Sequence, residues 1–123
     1  MVDREPAKTF EDLIAWQKAH ALVLDVYRIT RSFPREEVYG LTSRLRRAAV
    51  SVPANIAEGF KKRSRADKAR ILNVAEASLE EARYHLRLAI DLRYMAPNDL
   101  PARALEVARV LGAYTATIAS RPA

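Results

Sequence analysis

Apolar side chains recur every three or four residues in four successive blocks of this chain, and each of the first three blocks is closed by proline or glycine. Leu13, Trp16, Ala19 or His20, Val23, Val26 or Tyr27, and Ile29 form the first stripe, which ends at Pro34. Leu41, Leu45, Ala48, Val52, Ile56 and Ala57 form the second, running to Gly59. Leu72, Ala75, Leu79, Ala82, Leu86 and Ala89 form the third, interrupted by "APNDLP". Leu105, Ala108, Leu111, Thr115 and Ile118 form the fourth. The period is that of an amphipathic helix. It predicts helices over about 10–32, 41–60, 65–94 and 99–119, with frayed ends at 1–8 and 120–123. Four helices joined by short loops favour antiparallel neighbours, so the expected fold is an all-α, up-down-up-down four-helix bundle spanning 1–123 as one domain. Composition agrees: half of the residues are hydrophobic and only three are glycine, a balance that suits helices rather than sheets.

Pro53 lies inside the second stripe. It has no N–H to give the carbonyl of Ala49, at a cost of about 3 kcal/mol or more in a helix interior. The apolar phase is nevertheless the same on both sides of Pro53, which predicts one kinked helix rather than two short ones. Arg44, Arg47, Ser51, Asn55 and Glu58 share a polar ribbon beside this stripe, and Ser78, Glu81 and His85 have similar spacing on the third helix. The ribbon is expected to bond freed backbone groups or a neighbouring chain. Ser64 followed by Asp67 is expected to cap the third helix, and Asn98 or Asp99 the fourth.

Ile71, Val74, Leu88, Leu92, Val107 and Val110 lie outside the main stripes. A single bundle is expected to leave these faces exposed, which favours self-association, with Arg44, Arg47, Glu58 and Glu81 available for pairing between copies.

The net charge of +6 is concentrated. Residues 35–70 contain ten basic and four acidic side chains, while the remainder of the chain is neutral. Lys61, Lys62, Arg63, Arg65, Lys68 and Arg70 crowd the turn between the second and third helices, a pattern suited to a phosphate backbone or an acidic partner. Arg44, Arg46 and Arg47 serve either the assembly or a polyanion, and the sequence leaves that choice open.

Catalytic chemistry has little support. The chain has no cysteine, so thiolate metal sites and cysteine nucleophiles are excluded. Glu81 and His85 could share a metal, but no Glu-x-x-His motif is present, and a di-iron carboxylate bundle needs two. Ser51 and Ser78 lack a nucleophile elbow. Glu58 and Glu81 are better suited to ion pairing than to acid–base work. Trp16, Tyr27 and Tyr84 are expected at core or interface positions. No cofactor is implied. The absence of a signal-like or membrane-spanning apolar run leads to the expectation of a soluble cytoplasmic protein with no membrane partner.

"FEDLIAWQKAHALVLDVYRIT", "FPREEVYGLTSRLRRAAVSVPANIAEGF" and "ASLEEARYHLRLA" resemble the bacterial four-helix bundle family named after proteins encoded in 23S rRNA intervening sequences. The resemblance covers about residues 10–95, and "RRAAVSVPANIAEG" is its most specific part. That family is similar in turn to the accessory variability determinant of diversity-generating retroelements, a basic pentameric barrel that binds nucleic acid and works with a reverse transcriptase. The resemblance implies a homopentamer without established enzymatic activity. Its motif residues fall here on Trp16, Arg46, Arg47, Ser51, Pro53, Asn55, Glu58, Gly59, Ser78 and Glu81. Arg44 stands where the family commonly has glutamine, and Ala77 where glycine usually precedes the serine.

The expected function is a non-enzymatic homo-oligomeric adaptor that contacts RNA, DNA or a nucleic-acid-bound protein such as a reverse transcriptase. The alternatives are a protein-binding scaffold without nucleic-acid contact and a small metal-dependent enzyme using Glu58, Glu81 and His85.

Overall fold

The computed structural model describes residues 6–120. Its four long helices are α1 (Ile14–Thr30), α2 (Leu41–Lys61), α3 (Arg65–Asp91) and α4 (Leu100–Ser120), with single 3-10 turns at Phe10–Asp12 and Arg35–Glu37. Each helix packs on two others: α2 lies between α1 and α3, and α4 closes the square against α3 and α1. Ser51 meets Ser78 and Gly59 meets Leu72, so α2 and α3 run antiparallel. Lys18 with Glu106 and Asp25 with Arg103 show the same for α1 and α4. The centre is built from Leu22, Leu45, Ile56, Leu72, Leu79, Leu86 and Leu111, all essentially without solvent contact. Among the described residues no helix is long and apolar enough to cross a membrane.

Local polar chemistry explains where the helices differ from their expected bounds. The first helix does not begin at residue 10, because Leu13 is extended (ψ 127°) and separates the short turn from α1. The Asp12 carboxylate accepts the N–H groups of Lys8 (2.9 Å) and Thr9 (3.1 Å), folding the preceding chain back on itself. At the other end of α1, Arg46 donates Nε–H to Thr30 Oγ1 (2.8 Å) and reaches the Tyr27 carbonyl (3.4 Å). Its guanidinium also covers the Tyr27 ring, 4.5 Å from the centroid. Arg46 therefore closes α1 within its own chain.

α3 stops three residues before the expected position. Arg93 adopts φ 62°, the left-handed conformation. Its N–H donates to Ile90 O (2.9 Å), and that of Tyr94 donates to Ala89 O (2.9 Å). This is the Schellman pattern, here with arginine where glycine is usual. At the start of the same helix Ser64 accepts the Asp67 N–H at 3.1 Å. Asn98 Oδ1 accepts the Leu100 N–H (2.8 Å) and so opens α4.

Two expectations about packing are corrected. The buried stripe of α4 is Leu100, Ala104, Val107, Leu111 and Ile118, with Leu105 and Ala108 only half-buried. Apolar residues occupy both registers, and the one observed buries Leu100, Ala104 and Val107 while bringing Arg103 to Asp25 and Glu106 to Lys18. Val107 consequently belongs to the protomer's own core, and Ile71 is buried beside Gly59 of α2. Leu88 and Val110 pack against that core from its edge, whereas Val74 and Leu92 are exposed. The apolar surface left over is therefore smaller than the sequence suggests.

Candidate functional site

Ser51, Asn55 and Ser78 of the polar ribbon form one connected network. Ser51 and Ser78 hydroxyls meet at 2.8 Å across the α2–α3 seam. Asn55 donates its amide to the Ser51 carbonyl (2.7 Å) and hydroxyl (2.9 Å). These bonds bracket Pro53, which is buried in an otherwise unbroken α2. The carbonyl engaged is that of Ser51, two residues before the proline, rather than the Ala49 carbonyl that the proline deprives. Ser78 is thus a structural tie between helices. Neither serine has a base beside it in this network, so the geometry favours fastening over nucleophilic chemistry.

Glu58 and Glu81 do not converge. With Ser51 opposite Ser78, they lie on opposite sides of that crossing, roughly 15 Å apart along the helix axes at 1.5 Å per residue. Glu81 Oε2 instead meets His85 Nε2 at 3.0 Å. His85 is buried and its Nδ1 has no hydrogen-bond partner among the described residues, which carries a desolvation cost of about 1–3 kcal/mol. Among the described residues no three His, Cys, Asp or Glu side chains are placed to hold a metal. Arg44, Arg47 and Glu58 remain exposed on the ribbon.

Trp16 is half-buried, with the Phe10 ring edge-on at 5.0 Å and the His20 ring stacked at 4.8 Å. Its faces are therefore engaged within the chain. Tyr84, expected near a core or interface, is 60% exposed on the outer side of α3.

The basic turn is presented by two rigid helix ends. α2 terminates at Lys61, Lys62 is extended, and α3 starts just after Ser64. The six cations found here by composition divide by role. Lys68 donates to the Phe60 carbonyl (2.8 Å) and the Gly59 carbonyl (3.3 Å), satisfying the C-terminus of α2. Arg70 makes a long contact with Asp67 (3.7 Å). Lys61, Arg63 and Arg65 are exposed, Lys62 is half-exposed, and none of these four makes an ion pair among the described residues. Being consecutive around one turn, they form a compact cationic projection.

A second polar feature at the opposite end escaped the sequence reading. Glu37 Oε1 accepts the Leu41 N–H (3.0 Å), and its Oε2 accepts the Tyr94 hydroxyl (2.8 Å). The Leu41 backbone bond, followed by the Tyr94 bond, holds the Glu37 carboxyl below its ordinary range. The same bond to Glu37 raises the Tyr94 phenol. Gly40 makes room for this cap, since a Cβ there would stand 2.5 Å from Glu37 Oε1. The position of Glu37 four residues before Leu41 was visible, but nothing local announced a partner 57 residues away.

A square of antiparallel helices, a proline-bearing α2 tied to α3 by paired serines, and a basic α2–α3 turn define a class of small four-helix bundle proteins. The chain belongs to the 23S rRNA-intervening sequence protein family, whose family model matches residues 11–113. The fold is also similar to the crystal structure of a protein of unknown function from the S23 ribosomal protein family of Bacteroides thetaiotaomicron. The two share 20% identity and a TM-score of 0.76, over 84% of this chain and 96% of that one. A search of curated proteins finds no match.

Proposed function

We infer that the protein is a non-enzymatic, self-associating adaptor whose basic α2–α3 turn contacts the phosphate backbone of RNA or DNA. The observation that carries this reading is the cluster Lys61, Lys62, Arg63 and Arg65, held by two helix ends and making no ion pair among the described residues. Unpaired cations on a rigid projection release counterions when they meet phosphates, without needing to read bases. Lys68 supports the turn by fixing α2 to α3, and Arg70 flanks it. Self-association multiplies the cationic surface: a ring of five, the number implied by the family resemblance, would carry +25 of formal charge over residues 61–70. A reverse transcriptase is one partner protein consistent with that resemblance.

A salt series with generic RNA and duplex DNA tests the contact. Binding should weaken steeply with salt, and replacing Lys61, Lys62, Arg63 and Arg65 by alanine should flatten the log–log slope by up to roughly four units for each chain in contact. Failure of the parent protein to bind either nucleic acid at low salt would remove the proposed contact.

A further inference from the structure

The α1–α2 face leads into the basic turn. Arg46, near the start of α2, meets Tyr27 and Thr30 at the end of α1, and the Phe10–Asp12 turn also packs on α2. The two helices therefore run antiparallel, and the beginning of α1 lies beside the end of α2. Trp16, His20 and Tyr27 stand one above another on the flank of α1 that Arg46 reaches, whereas Lys18 and Asp25 turn to α4 on the other flank. With Tyr27 level with Arg46, His20 is about 10 Å along the axis from the end of α2, at 1.5 Å per residue.

The rings on this face are already ordered. His20 is stacked on Trp16 with its plane only 9° from that of the indole, and Phe10 holds the indole edge-on. Trp16 is half-buried, but His20 is exposed and its ring meets no further ring beside Trp16 among the described residues. A flat imidazole backed by a fixed indole supports a further π-face at little cost in side-chain entropy. Unpaired bases present such faces, whereas those of a duplex are covered by their neighbours. Charge at this corner is mixed near Phe10 and basic at the turn. Glu11 and Asp12 are exposed, and the Asp12 carboxylate is turned onto the N–H groups of Lys8 and Thr9. Lys61, Lys62, Arg63 and Arg65 make no ion pair among the described residues, so the surplus is positive.

We propose that the Lys61–Arg65 turn and the Trp16–His20 stack form one surface for single-stranded nucleic acid, with phosphates on the cations and an unpaired base laid on the His20 ring. The distance from His20 to the turn corresponds to about three nucleotide steps at ~3.4 Å per step along a strand, so one short segment reaches both. Every base has a π-face, so the surface takes unpaired strand of any sequence. This assignment rests on the phosphate contact inferred above and deepens it by naming the state of the strand.

The experiment compares binding of the full chain to a short oligothymidylate and to an abasic strand of equal length, which carries the same phosphates without bases. The parent should hold the oligothymidylate about tenfold more tightly, the low end of what one base–aromatic stack contributes. His20→Ala should abolish that ratio while leaving abasic binding unchanged, and His20→Phe should keep it. A 5-bromodeoxyuridine strand should photocrosslink to the peptide containing His20. Far-ultraviolet circular dichroism should match the parent in both variants, since His20 is exposed. Equal affinity of the parent for the two strands, a ratio unchanged in His20→Ala, or crosslinks that map only elsewhere would overturn the stack while leaving the phosphate contact intact. No uptake of either strand at low salt would overturn both.

Discussion

Single side chains in this protein act chiefly by closing helix ends, and Glu37 does so for two segments at once. Its two oxygens join the start of α2 to Tyr94, just after α3. The pH dependence follows from the two directions of shift. Glu37 is lowered from 4.5, so its contribution is present above that value and is lost as pH falls through the lower folded value. Tyr94 is raised from 10.0, so its contribution is present below that value and is lost as pH rises through the higher folded value. Tyr94→Phe should therefore lower the urea midpoint between those limits, and the gap from the parent should shrink towards both extremes. A gap independent of pH would show that the ring, not the hydroxyl, is what matters. Arg46 plays a comparable part on α1, which explains why a residue counted with the basic candidates is occupied within its own chain.

The helices show how one stop signal can be read correctly in kind and misplaced in position. α3 ends at Asp91 because Arg93 turns left-handed, although its side chain offers no composition cue for that conformation. Arg93→Gly should stabilise the protomer by about 1 kcal/mol by relieving the Cβ clash, raising its thermal midpoint. An unchanged or lower midpoint would count against strain at this residue. α2 illustrates the opposite case. Pro53 is accommodated in one continuous helix, and the apolar phase across it was legible because core residues Val52 and Ile56 stay in register.

For the bundle as a whole, which face of α4 turns inward decides what surface remains for partners. Leu111→Ala should destabilise by about 2–5 kcal/mol, as expected for a fully buried leucine, while half-buried Leu105→Ala should cost clearly less. Chemical denaturation of the two variants measures the difference, and the reverse order would contradict the observed register. With Ile71 and Val107 inside, the remaining exposed apolar groups on the outer faces include Val50, Val74, Tyr84 and Leu92. The expected excess is real but narrower, and the most prominent member, Tyr39, lies on a loop outside every helical stripe. The two ends of the bundle are also chemically distinct: one presents the Lys61–Arg65 cations, the other the exposed Tyr39 ring and an open cleft lined by Ile90, Tyr94 and Met95.

Periodicity determined the four helices and the continuity of α2 through Pro53, and the order of charged residues located the excess charge, because each depends on residues within a few turns of one another. The Ser51–Ser78 and Glu37–Tyr94 bonds, the rotation of α4 and the separation of Glu58 from Glu81 were decided only by tertiary structure. Each depends on which positions of distant helices come to face one another. Local spacing sets which side of a helix is apolar, but where two registers are nearly equal in apolar content, only packing against the neighbouring helices decides which face turns inward.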